Sequence, residues 1–108
     1  MKSERQEKME VELLKLASNF IARESNKTAL ITATRCDLSP DFKNGTIYIT
    51  VLPEDKERAG LEFLKRHLHE LRDYIKKNMD MRVIPFFQVE IDMGEKNRQR
   101  IDEIGREV

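Results

Sequence analysis

The chain has 108 residues and a mass of 12.8 kDa, the size of one ordinary domain with a single core. Lys plus Arg number 20 and Asp plus Glu number 20, so the formal net charge is zero and the pI is about 6.7, which excludes a strongly basic nucleic-acid arm and an acidic tail. Charged residues are 37% of the chain and apolar ones 39%, so a surface crowded with ions of both signs must enclose a globular interior.

The first predicted element is a helix over roughly residues 4–25. Met9, Leu13, Leu16, Ala17, Phe20 and Ile21 step by 4, 3, 1, 3 and 1, which gathers them on one helical face. Glu4 and Lys8 form a favourable four-residue pair, and Ser25-Asn26 supplies a stop. A strand is expected over about 29–38. Ile31 and Ala33 share one parity and Cys36 and Leu38 the other, so burying all four requires a bulge near Thr34-Arg35. Residues 39–45 hold Ser, Pro, Asp, Asn and Gly, which is turn chemistry. From Thr46 to Leu52 the chain alternates, with Ile47, Ile49 and Val51 on one side and Thr46, Tyr48 and Thr50 on the other. The two strands are expected to pair as an antiparallel hairpin.

Pro53 ends the second strand. Leu61, Leu64, Leu68, Leu71, Ile75 and Met79 then step by 3, 4, 3, 4 and 4, the strongest periodic signal in the chain. The stripe runs without a phase break, which predicts one continuous or gently bent helix over 57–79. A last strand is expected over 83–92, with Phe87, Val89 and Ile91 buried and Pro85 at the strand start or on the open edge. Residues 94–108 carry four charges of each sign, with Ile101 and Ile104 as apolar anchors before Val108. That composition fits a short docked helix or a frayed tail. The order implies an α+β fold: a three-stranded mixed sheet with helices packed on one face, its second and third strands parallel through a right-handed crossover. The domain is assigned to 1–92, with 93–108 as a C-terminal segment.

Cys36 is the lone cysteine, so it makes neither an internal disulfide nor a zinc site by itself. It reads as a small apolar strand residue. No stretch approaches the ~18 apolar residues of a membrane span, and Met1-Lys2-Ser3-Glu4-Arg5 lacks the apolar core of a secretory signal, so the expected compartment is the cytoplasm. His67 and His69 point apart on a helix and cannot share an ion; His67 is expected as a half-buried residue near Phe63 and Tyr74. Asp37, Asp41, Glu54 and Asp55 fall in turns and helix starts, where acids have local work. No catalytic triad order, phosphate loop or zinc motif is present, so neither an enzyme nor a cofactor is expected.

Four stretches together carry a family resemblance. Asp37-Leu38-Ser39-Pro40-Asp41-Phe42, then Thr46-Ile47-Tyr48-Ile49-Thr50-Val51, then Leu71-Arg72, then Arg82-Val83-Ile84-Pro85-Phe86-Phe87-Gln88-Val89-Glu90-Ile91-Asp92 resemble, in order and spacing, the ribosome-binding factor A family over residues 5–104. The resemblance implies a type II K-homology-like fold and a non-catalytic role in late maturation of the small ribosomal subunit, near the 5′ end of its rRNA. It also implies growth in the cold and release by a maturation GTPase. The chain departs from an ordinary K-homology domain in having glycines only at 45, 60, 94 and 105, so no Gly-x-x-Gly loop separates two helices. Where the family has an Ala-x-Gly kink, this chain has His67-Leu68-His69.

Charge is segregated even though its sum is zero. Residues 63–82 hold six basic and three acidic side chains. On a helical wheel Lys65, His69, Arg72 and Lys76 form one row beside the apolar stripe, Arg66 and Lys77 lie on the outer face, and Arg82 follows in the loop. With the resemblance, these seven are the candidate RNA contacts, by phosphate neutralisation. Each also has a plain reading as a solvated face, and Arg72 as a residue packed on the core and paired with Asp73, Asp92 or Glu90. Tyr48 and Phe86 face away from the predicted core, where they would stack on bases or fill a gap. The expected partners are the small subunit and its rRNA, with a monomeric chain. The competing reading is a protein-interaction module on the same fold without RNA.

Overall fold

The first helix, α1, spans Glu4–Glu24. Ser3 starts it: its hydroxyl accepts the Gln6 N–H at 3.1 Å and its carbonyl the Glu7 N–H at 3.1 Å. Leu13, Ala17, Phe20 and Ile21 are buried from it, with Met9 and Leu16 half-buried beside them. The structure is a computed structural model that describes residues 2–24 and 29–106, so the Ser25-Asn26 stop lies outside the described residues.

Strands β1 (Leu30–Leu38) and β2 (Asn44–Leu52) pair antiparallel, and their register shifts between Ala33 and Arg35. The extra residue, Thr34, resets the alternation. Ile31, Ala33, Cys36 and Leu38 thereby all face the helices, as their parity required. β2 begins two residues earlier than predicted, because the reversal is finished within residues 39–43. There the Ser39 hydroxyl donates to the Asp41 carboxylate at 2.6 Å and accepts the Asn44 N–H at 3.0 Å. The same carboxylate takes the Lys43 N–H at 3.1 Å. Phe42 sits inside this network with φ 62°, a left-handed conformation that costs a non-glycine residue roughly 1 kcal/mol.

The predicted continuous helix is two helices. After a 3-10 turn over Glu54–Lys56 come α2 (Glu57–Arg66) and α3 (Leu68–Asn78), separated by His67 at φ −104° and ψ 10°. A side chain causes the break. His67 Nδ1 donates to the Phe63 carbonyl at 2.7 Å, the oxygen its own main-chain N–H would take in an unbroken helix. That N–H turns instead to the Leu64 carbonyl at 3.0 Å, and the imidazole lies on the Phe63 ring with centroids 4.3 Å apart. The expected proximity of His67 to Phe63 therefore holds, whereas Tyr74 packs on Phe20 at 5.9 Å. The leucine spacing did not expose the break, because Leu64, Leu71 and Ile75 are all buried on either side of it.

β3 (Phe86–Ile91) pairs parallel with β2, giving the sheet order β1-β2-β3. It starts three residues later than predicted, directly after the buried Pro85, which has no N–H to contribute to a ladder. Helices α1 to α3 close over one sheet face. Leu13, Ala17, Phe20, Leu64, Leu71 and Ile75 meet Cys36, Leu38, Ile47, Ile49, Val51, Phe87 and Val89 there. Each fully buried aliphatic side chain stabilises by roughly 1.5–3 kcal/mol. Gly60 brings α2 close to β2, since a Cβ there would meet Val51 Cγ2 at 3.0 Å.

The last helix, α4 (Met93–Arg106), is held by polar links. Asp92 caps it through the Glu95 N–H at 3.0 Å and also accepts from the Thr34 hydroxyl at 2.6 Å, tying the helix to the β1 bulge. Lys96 reaches Glu54 at 2.9 Å and Glu57 at 2.8 Å. The side chains of the predicted anchors Ile101 and Ile104, and all of Val108, lie outside the described residues.

Candidate nucleic-acid interface

β3 is an edge strand, and its main-chain direction can be read from its ends. Phe86 N–H bonds the Lys43 carbonyl at 2.9 Å and Asp92 N–H the Ile49 carbonyl at 2.8 Å. Residues of that parity point at β2. Phe87, Val89 and Ile91 therefore turn their N–H and C=O groups outward. Facing this edge is a groove lined by Leu61, Lys65 and Leu68 on the helical side and residues 87–91 on the strand side. The half-buried Leu68 sits just past the break at His67.

The predicted row of Lys65, His69, Arg72 and Lys76 is interrupted at His67, between α2 and α3. Lys65 lines the groove from α2, and Arg66 is exposed beside it. His69, Arg72 and Lys76 follow on α3, across the interruption at His67. His69 stands 3.6 Å from Asp73. Lys77 turns toward α1, in a cleft it shares with Arg23, Glu24, Glu70 and Asp73. Arg82 lines another cleft at the opposite end of α1, with Arg5, Asp41, Phe42 and Asp80. The groove itself thus holds one cation among the described residues, Lys65, opposite Glu90, while Arg72 lies at the start of β3 and Lys76 one helical turn beyond it on α3. Among the described residues, Lys65, Arg66 and Lys76 are exposed and engage no carboxylate.

Arg72 pairs with none of Asp73, Asp92 or Glu90. Its Nε donates to the Pro85 carbonyl at 3.1 Å and its Nη2 to the Ile84 carbonyl at 3.0 Å. The guanidinium carbon lies 4.3 Å from the centroid of the Phe86 ring. Phe86 itself is 66% exposed on the outer sheet face. Tyr48, also on that face, is covered by Arg35 at 4.1 Å. Sequence reasoning placed both rings outward but missed the arginines that stack on them. No spacing rule links residue 72 to residue 86.

The acids have separate local roles. The Ser39 hydroxyl and then the Lys43 N–H hold the Asp41 carboxyl below the usual carboxylate range. The Thr34 hydroxyl, then the Glu95 N–H, do the same for Asp92. Asp37 receives Lys2 at 3.0 Å and Arg35 at 3.4 Å. Burial pushes the Cys36 thiol up to about 12, which removes it as a nucleophile near neutrality. Among the described residues, no group of three His, Cys, Asp or Glu side chains is placed to hold a metal ion, and no helix is long and apolar enough to cross a membrane.

Comparison with known proteins agrees with this architecture. The family profile described as "Ribosome-binding factor A" matches residues 5–105. A ribosome-binding factor A from Macrococcus caseolyticus is 30% identical over 95% of this chain and 96% of its own length. The crystal structure of ribosome-binding factor A from Thermus thermophilus superposes with a TM-score of 0.73 at 21% identity, over 80% of this chain and 94% of that one. A Thermus thermophilus ribosome binding factor A homology model, fitted into the cryo-EM map of a complex with the 30S particle, superposes with a TM-score of 0.69 at 21% identity, over 77% and 90% of the two chains. At such identities the superpositions establish the fold, a type II K-homology-like α+β arrangement.

Proposed function

This chain belongs to the ribosome-binding factor A family, and from that premise we propose that it is a non-catalytic assembly factor for the small ribosomal subunit. It binds the immature particle and its rRNA late in maturation, assists processing of the rRNA 5′ end, and is released by a maturation GTPase in the cytoplasm. The observation that carries this reading is a cationic margin along α2 and α3: Lys65 on the wall of the β3 groove, an Arg72 locked at the start of β3, and Lys76 one turn beyond it, both lysines exposed and free of carboxylates. The Thermus thermophilus relative fitted into a 30S complex supports the choice of partner. Phosphates on this margin would orient the protein without reading sequence. Arg66 and His69 extend the margin, while Lys77 and Arg82 contribute at most from the neighbouring clefts.

The test is co-sedimentation with small subunits across a salt series. The Lys65→Glu/Lys76→Glu variant is expected to bind at least tenfold more weakly, with a salt slope shallower by about one to two units. Arg72 is left intact because its loss would free two carbonyls and disturb the fold. An unchanged affinity and slope in the double variant would exclude this surface. The absence of a Gly-x-x-Gly loop favours a second reading, a protein-interaction module. A wild-type chain that stays at the top of the gradient even at low salt would select it.

A further inference from the structure

The Phe86 ring is 66% exposed and stands outside the core to which its neighbours Phe87 and Val89 belong. Yet the ring is held in place. Its main chain follows a buried proline and is bonded to Lys43, and one of its faces carries a guanidinium that is itself pinned by two carbonyls. Phe86 lies fourteen positions beyond Arg72 in sequence, so tertiary packing alone builds the pair. The pinning uses Nε and Nη2 of Arg72 and leaves Nη1 free of those carbonyls. Lys76, exposed and without a carboxylate, stands one helical turn beyond Arg72. A flat apolar ring, presented to solvent at the rim of a cationic margin, matches a ligand that alternates flat π faces with negative charges.

We propose that Phe86, backed by Arg72, is a stacking platform for one unpaired base of a single-stranded RNA segment, whose adjoining phosphates lie toward Arg72 and Lys76. The proposal rests on the rRNA-binding reading above and adds to it a residue and a ligand class. Stacking suits every base, so the platform selects for strand state rather than sequence. A duplex keeps its bases inside and would reach only the cations. The ring is pre-ordered by the arginine and the proline, so little freedom is lost when a base docks.

The chain contains no tryptophan, so Phe86→Trp introduces a single indole reporter at the platform. Its emission is expected to be strongly quenched by a mixed-sequence single-stranded oligoribonucleotide at low salt. The same sequence as a duplex, and heparin as a polyanion without bases, should leave it nearly unchanged. Phe86→Ala should weaken single-strand binding about tenfold, with the thermal midpoint and the salt slope retained. Equal quenching by heparin, or a Phe86→Ala variant that binds like wild type, overturns the platform. So does a Phe86→Ala variant that loses small subunits when no oligonucleotide quenches the reporter, because the ring then docks on protein. A wild-type chain that binds the subunit with the expected slope while Phe86→Ala changes nothing sinks only the platform. A wild-type chain that binds neither subunit nor RNA sinks the functional reading as well.

Discussion

At the α1–β1 flank, charged and polar side chains are used up in holding the fold. Lys2 reaches Glu10 at 2.7 Å and Asp37 at 3.0 Å. Glu10 also accepts the Leu38 N–H at 2.7 Å, and the buried Gln6 donates to the Leu38 carbonyl at 2.7 Å. Two helix side chains thus stand in for a neighbouring strand and cover the end of β1, which as an edge strand would otherwise expose its main chain. At the α2–α3–β3 flank the opposite holds. Lys65, Arg66 and Lys76 extend into solvent without carboxylates, and the outward groups of β3 face an open groove. One flank of an electroneutral molecule uses its ions to hold the fold, and the other keeps Lys65, Arg66 and Lys76 unengaged although Glu90 also lines its groove. Net charge therefore says little about where a polyanion can dock.

Glu10→Ala should break the neutralised flank most severely. It leaves the Leu38 N–H without its acceptor and Lys2 without its shorter partner, at a cost of about 2 kcal/mol. Thermal or denaturant unfolding would measure this, with small-subunit binding by the folded variant retained. A loss of binding without a loss of stability would mean that the two flanks are not separate. Asp92→Ala should cost about 1 kcal/mol through the lost cap of α4 and the lost Thr34 link.

The Asp92 substitution also tests acid stability. The native Asp92 carboxyl titrates below its unfolded value of about 3.8. Its stabilising contribution is therefore full above that value and is lost as pH falls through the lower, folded one. The variant should show a flatter decline of stability below about pH 4 in a pH series of melts. An unaltered acid limb would assign the acid sensitivity elsewhere, Asp41 being the next candidate.

Smaller still is the expected effect of Lys65→Ala on folding, within about 0.5 kcal/mol, because the ammonium has no carboxylate to lose. Binding to the subunit should nevertheless weaken, which is the signature of a charge held for a partner. The least response is expected from Cys36. The buried thiol should not react with a disulfide reagent at pH 8 until the chain unfolds. Prompt reaction in the native state would show that β1 opens readily beneath α1.

Much of the scaffold was legible in the chain. The parity clash between Ile31-Ala33 and Cys36-Leu38 located the bulge, and Pro85, expected at the strand start or on the open edge, directly precedes β3. The alternation around Ile47, Ile49 and Val51 identified the central strand. The site was legible only as composition, an excess of cations over 63–82. The helical wheel overstated it by drawing one row through His67. An imidazole competing for a carbonyl is invisible to apolar periodicity, since the buried leucines keep their spacing on both sides of the break.

Periodicity and turn chemistry by themselves determined which segments are helix or strand and which side of each is buried. Those properties depend on neighbours within a few residues. Only the tertiary structure decided which cations are neutralised. It placed Glu10 against β1 within reach of Lys2 and laid Arg72 over Phe86. Electrostatic and stacking partners are chosen by distance in space, which packing sets and linear spacing does not encode.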